Sequence, residues 1–245
     1  MFADTATNKL KGYYLSERAV TVTFADKISL AITQQITNIN RQLLANPFPG
    51  FEASVPAYTT LTIYFDPQQL LESKLDGWDN LQRVVNYVSD LPEQNAEDQL
   101  IRSNIVEIPV CYDAEFGFDL DELSLNNKLP IDEIIHLHST AVYTVSMIGF
   151  TPGFAYLGGL DKRLFAPRKQ TPRAAVPAGS VGIAGEQTGV YPLTIPGGWQ
   201  IIGRTPLTLF NADLAQPVLL KMGDRVRFKP IDRITFNKLA DADQD

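Results

Sequence analysis

After residue 148 the chain stops offering helices. GFTPGFAYLGGL, PRAAVPAGSVGIAG, PGGW and GRTP place glycine or proline at short intervals from 149 to 230. Proline removes a backbone donor, and glycine is costly inside a helix, so no long helix fits between these stops. The pieces left between them, VGIAG, GVYPLTI, WQIIG and DRVRFKP, are short and rich in strand formers. This part of the chain reads as an all-β barrel or sandwich with irregular crossings.

The first part obeys a different pattern. RAVTVTFA (18–25) alternates with period two, as a half-buried strand does. Ile32, Ile36, Ile39 and Leu43 then form one apolar helical stripe, stopped by Asn46-Pro47 and Pro49-Gly50. FEASVPAY and TTLTIYFD (51–66) read as neighbouring strands. A second helix is expected to carry Trp78, Leu81, Val84, Val85 and Val88 and to end before Pro92. The order β-α-β-β-α gives the fold class α+β, beginning with a small sandwich of helices on an antiparallel sheet.

The polar stretch LPEQNAEDQLIRS (91–103) is the expected boundary, leaving domains at 13–95 and 104–235. The second begins with strand NIVEIPV (104–110). Helical patterns DLDELSLNN and LPIDEIIHLH and strand AVYTVSMI (141–148) follow. The first dozen residues read as frayed, and the last ten or so, ending DADQD, as an acidic tail.

Composition narrows the function. A net charge of −7, from 21 basic and 28 acidic residues, argues against nucleic acid as the main partner. The single cysteine, Cys111, permits no intrachain disulfide and fits a reducing compartment. No leader pattern opens the chain, and no apolar run approaches the roughly 20 residues that cross a bilayer. The expectation is a soluble cytoplasmic protein with no membrane partner.

Chemistry-bearing motifs are few. There is no GxxxxGK[ST] phosphate loop, and Gly179, Gly182, Gly185 and Gly189 have the spacing of turns. No CxxC or HExxH supports a metal site. His136 and His138 lie two apart on a helix, so one faces the core or a site and the other solvent. Arg173 precedes a proline-glycine turn, either as a grip on a carboxylate or phosphate or as a surface arginine. Ser180 has no GxSxG elbow around it. Phe150, Phe154, Tyr156, Tyr191 and Trp199 sit on glycine-rich backbone, with Arg204 among the same turns. That pattern suits a pocket or interface, or else a loop plugging a barrel end.

GFTPGFAYLGGL, TPRAAVPAGSVGIAGEQTGVYPLTIPGGWQIIGRTPLTLF and GDRVRFKP resemble the family of 5-oxoprolinase B subunits. It is also called allophanate hydrolase subunit 1 and includes a Kip-type inhibitor of a sporulation histidine kinase. The resemblance runs from about Glu17 to Ile231 and is most specific between Ile108 and Phe228. It implies a cyclophilin-like β-barrel for the second domain. It also implies a protein that acts with the A and C subunits of a 5-oxoprolinase to open 5-oxoproline to L-glutamate with ATP and Mg. The alternatives it leaves are a kinase inhibitor or a urea carboxylase-related subunit.

By motif the resemblance singles out His138 as catalytic. For substrate binding it points to Phe154, Tyr156, Arg173, Ser180, Gln187, Tyr191, Trp199 and Arg204. It implies no metal ligands in this chain and little activity for the chain alone. Ala155 and Glu186 stand where the family commonly has proline and glycine, and Glu186 adds a charge beside the expected pocket.

Overall fold

The computed structural model describes residues 10–92 and 105–242. The chain divides into two compact units, 1–102 and 103–245. The N-terminal segment expected to fray lies mostly outside the described residues, as do most of the expected boundary segment and the last three residues of the expected acidic tail.

In the first unit, strands β1 (Lys11–Ser16), β2 (Ala19–Thr23), β3 (Phe51–Ala57) and β4 (Thr60–Phe65) form an antiparallel sheet. Their order is β1-β2-β4-β3. Helix α1 (Leu30–Ala45) starts at Ser29, whose hydroxyl accepts from the Ile32 N–H at 3.3 Å. It buries Ile36, Ile39 and Leu43 over Leu61, Ile63 and Phe65 on one sheet face. A short helix α2 (Pro67–Glu72), absent from the sequence reading, is capped by Asp66 with proline at its start. Helix α3 (Asn80–Asp90) buries Val84, Val85 and Val88. Trp78 is not part of it. Asp79 caps the helix by accepting from Gln82 N–H at 2.8 Å, so Trp78 falls before the first turn and is 83% exposed.

The second unit opens with β5 (Ile105–Val110), then helices α4 (Leu120–Asn127) and α5 (Ile131–Thr140). Strands β6 (Tyr143–Ile148), β7 (Ala155–Gly158), β9 (Ser180–Ala184), β10 (Gln187–Val190), β12 (Gln200–Arg204) and β13 (Arg225–Pro230) complete its main sheet. The strand order is β5-β13-β6-β7-β10-β9-β12, antiparallel except for the β5-β13 pair. The outermost strands are joined where Cys111, just after β5, exchanges two 2.9 Å backbone hydrogen bonds with Arg204. Strands β8 (Arg173–Val176) and β11 (Ile195–Gly197) make a separate ribbon. Ile108, Val110, Val145, Leu157, Val181, Ile183, Ile202, Val226 and Phe228 fill the core beneath α4 and α5. The fold is thus mixed, with a mostly antiparallel sheet.

The acidic end differs from the tail expected. Arg233–Ala242 is a helix, α6, whose Phe236 packs on Phe116 with ring centroids 4.5 Å apart. Asp232 starts it by accepting from the Thr235 N–H at 2.7 Å. Among the described residues no helix is long and apolar enough to cross a membrane.

Candidate functional site

Three clusters hold six of the nine sequence-selected residues. The first is aromatic. Phe154 meets Tyr156, Tyr191 and Trp199 at centroid distances of 4.8, 5.2 and 5.3 Å. Edge-on ring contacts of this kind add to ordinary burial. Two glycines make the approach close enough. A Cβ on Gly189 would stand 2.8 Å from Ala155 O and 3.1 Å from the Trp199 ring, and one on Gly197 would stand 2.4 Å from Tyr191 Oη. Phe154, Tyr191 and Trp199 are buried and Tyr156 is half-buried.

The loop that opens this cluster turns tightly. Gly149 N–H donates to Phe154 O at 3.1 Å, and Phe154 N–H to Thr151 O at 3.1 Å. Its exposed ring belongs to Phe150, 67% exposed with a φ of 70°. A non-glycine residue in that left-handed region carries strain. Phe154 is the ring on which the others pack.

The second cluster surrounds His138 in the core. Helix α5 brings the imidazole onto the Phe228 ring at 4.5 Å, nearly parallel. Nδ1 lies 2.8 Å from Tyr112 Oη, and Nε2 lies 2.9 Å from Thr188 Oγ1. Thr188 donates its own proton to Gly182 O at 3.0 Å, so it accepts from His138. The chain therefore has one direction: Tyr112 O–H donates to Nδ1, Nε2–H donates to Thr188, and Thr188 O–H donates to Gly182. Burial holds the imidazole pKa down, at about 3. A sealed, neutral imidazole with both nitrogens engaged ties helix to sheet.

The third cluster is centred on Asp119, which the sequence reading did not single out. Its Oδ1 accepts from Arg173 Nη2 at 2.6 Å and from Lys169 Nζ at 2.7 Å. Its Oδ2 accepts from Ile201 N–H at 2.7 Å, and its own N–H donates to Ile201 O at 2.9 Å. Burial pushes this carboxyl up, but the bonds from Arg173, Lys169 and Ile201 outweigh it and hold the group below the usual carboxylate range. Lys169 also bridges to the exposed Glu122. The Arg173 guanidinium lies over the Phe118 ring, 5.7 Å from its centroid.

A family model described as carboxyltransferase domain, subdomain C and D, matches residues 11–220. The chain belongs to that family. Within it, the B subunit of 5-oxoprolinase from Bacillus subtilis (strain 168) is 43% identical over 91% of this chain and 93% of its own length. The solved protein TTHA0988 superposes with a TM-score of 0.75 at 35% identity, over 88% of this chain. This chain spans only 40% of TTHA0988. The Kluyveromyces lactis urea carboxylase shares the fold at 17% identity, with a TM-score of 0.72 over 96% of this chain and 23% of that one. The family resemblance read from the motifs agrees with these relatives.

For this carboxyltransferase-family chain, the nine selected residues separate by exposure. His138, Phe154, Ser180, Tyr191 and Trp199 are buried, whereas Tyr156, Arg173, Gln187 and Arg204 are partly open. Ser180 and Arg204 face each other in register across β9 and β12. Arg204 Nε donates to Ala178 O at 2.8 Å, and burial followed by the nearby Arg233 charge lowers its pKa.

Proposed function

We propose that this chain is the B component of a multi-subunit, ATP-dependent 5-oxoprolinase that opens 5-oxoproline to L-glutamate together with the A and C subunits. The observation that carries the reading is the Bacillus subtilis relative of that name, aligned over 93% of its length. A lactam is a poor electrophile, so its opening needs activation and oriented partners for the carboxylate and amide. This chain supplies orientation. Tyr156, Arg173, Gln187 and Arg204 meet substrate or partner, and the buried Phe154, Ser180, Tyr191, Trp199 and His138 hold them in place.

ATP and its Mg are assigned to the complex as a whole. Gly182 and Gly189 are paired opposite each other inside strands rather than forming a phosphate cradle. Among the described residues no group of three His, Cys, Asp or Glu could hold a metal ion. We further infer that the second unit is a closed barrel of cyclophilin type, supported by the Cys111–Arg204 pair that joins its outermost strands. A cytoplasmic location fits the free, buried Cys111.

The test is coexpression with the A and C subunits, followed by an ATP-dependent 5-oxoproline assay. Turnover should require this chain and be negligible for the chain alone. Equal turnover by A and C without it would overturn the reading.

A further inference from the structure

We propose that Arg173, Lys169 and Phe118 form a subsite for a small carboxylate, with Asp119 as its positioning residue. The proposal rests on the function above only for the identity of the ligand, 5-oxoproline.

The argument begins with what Asp119 gives up. It occupies the N-cap of α4, where an aspartate ordinarily accepts from the first-turn N–H groups. Here its side chain makes no such bond. Both oxygens go instead to Arg173, Lys169 and the Ile201 N–H. Its backbone is tied to the same Ile201, so the carboxylate is fixed from two directions. It is 2% exposed.

A carboxylate fixed this way also fixes the arginine. Nη2 is committed to Asp119, but Nη1 is buried and has no hydrogen-bond partner among the described residues. An arginine serving only as a cross-link would satisfy both arms of its fork. The unmet arm calls for a second acceptor. Lys169, on the same aspartate oxygen, lends the remaining charge. Its other partner, Glu122, is 51% exposed and free to yield to a ligand carboxylate. The Phe118 ring beside the guanidinium is 45% exposed. Its exposed side offers an apolar face for the carbon ring of the ligand. A planar guanidinium, an ammonium and an aromatic face together select a carboxylate on a small ring.

The experiment is equilibrium titration calorimetry without ATP, on the chain assembled with its A and C subunits. The probes are 5-oxoproline and 2-pyrrolidinone, the same ring without the carboxylate. 5-Oxoproline should bind at least about tenfold more tightly, the size of one charge-assisted bond. Arg173→Lys, which keeps the charge but loses the fork, and Lys169→Met should each erase that preference while melting temperature stays near wild type. In turnover, Asp119→Asn should raise KM for 5-oxoproline about tenfold and spare kcat, a split that simple loss of folded protein would not produce. Should Asp119→Asn fail to fold, the Arg173 and Lys169 variants decide.

Equal binding of the two probes by wild type would overturn the subsite, as would an unchanged preference in Arg173→Lys and Lys169→Met. An intact carboxylate preference without ATP-dependent turnover would support the subsite and sink the enzyme reading instead.

Discussion

His138 and Asp119 are both buried polar residues in the second unit, and both join a helix to the sheet, but their networks end differently. The His138 chain is closed. Each proton from Tyr112 to Gly182 has an acceptor, and the ring is sealed against Phe228. The Asp119 cluster is open. Among the described residues it leaves Arg173 Nη1 unmet, and it places Lys169 and Phe118 near water. A closed buried network rigidifies, whereas an open one keeps a group in reserve at a cost in stability. The residue most expected to do chemistry is on the closed side.

The largest separation between the two networks should appear on acidification. An unfolded imidazole takes a proton near pH 6.5, whereas His138 in the fold does so only near 3. Between those values the unfolded state binds the extra proton, so stability falls as pH falls, by about 1.4 kcal/mol per unit. The sum approaches about 5 kcal/mol at the bottom of the window. Asp119 has the opposite history. Its folded pKa lies below the unfolded 3.8, so its contribution is complete above that value and disappears only below it. Urea unfolding at pH 7 and pH 5 should therefore report His138 and not Asp119, and His138→Gln should flatten the difference. A slope that survives the substitution would assign it to other groups.

At constant neutral pH the next largest effect is expected from Asp119→Ala. It strands two cations and the Ile201 N–H. Breaking a buried pair costs about 3–5 kcal/mol, reduced here to about 2–3 because Lys169 and Arg173 keep partial access to water. Chemical denaturation checks it. A loss below about 1 kcal/mol would mean that solvent already screens the cluster.

Thr188→Val tests closure itself. The shapes match, but the His138 Nε2–H loses its acceptor in a fully buried place. About 1–2 kcal/mol should be lost. No change would mean that the imidazole adopts the other tautomer or recruits water, and the directional chain would fail.

The sequence was more informative about elements than about these networks. The stripe Ile36, Ile39 and Leu43 fixed α1 because period 3.6 is a local property. Trp78 was misplaced because apolar spacing outweighed the adjacent Asp79 cap, although the cap sets the boundary. Six-residue α2 carries too short a pattern, yet Asp66-Pro67 was a usable start signal. The terminal helix was hidden by its acidic composition, despite Asp232 as a cap and Phe236 as an anchor. Asp119 was invisible for another reason. Its partners lie 54 and 82 residues away, and within DLDELS it reads only as a helix-start acid. His138 could be assigned to a face but not to a role, because the Tyr112 and Thr188 hydroxyls that close its network lie 26 and 50 residues away in the chain.

The smallest expected stability effect separates the two networks most sharply. Arg173→Lys keeps a cation beside Asp119, and an ammonium can still reach Oδ1. It removes the planar fork, the contact with Phe118 and the buried Nη1–H that had no acceptor among the described residues. The first two losses destabilise and the third relieves, so the terms oppose. The Arg173 side chain is 29% exposed, which moves the pair toward the surface range of about 0–1 kcal/mol. Denaturation at pH 7 should therefore show less than about 1 kcal/mol of change, well below that of Asp119→Ala. If Arg173→Lys instead costs about 3 kcal/mol, the fork is structural, like the imidazole, and the distinction between open and closed networks fails. If the cost is small, the guanidinium's planar geometry is not needed to hold this fold together, and its position beside an unmet N–H is left for recognition to explain.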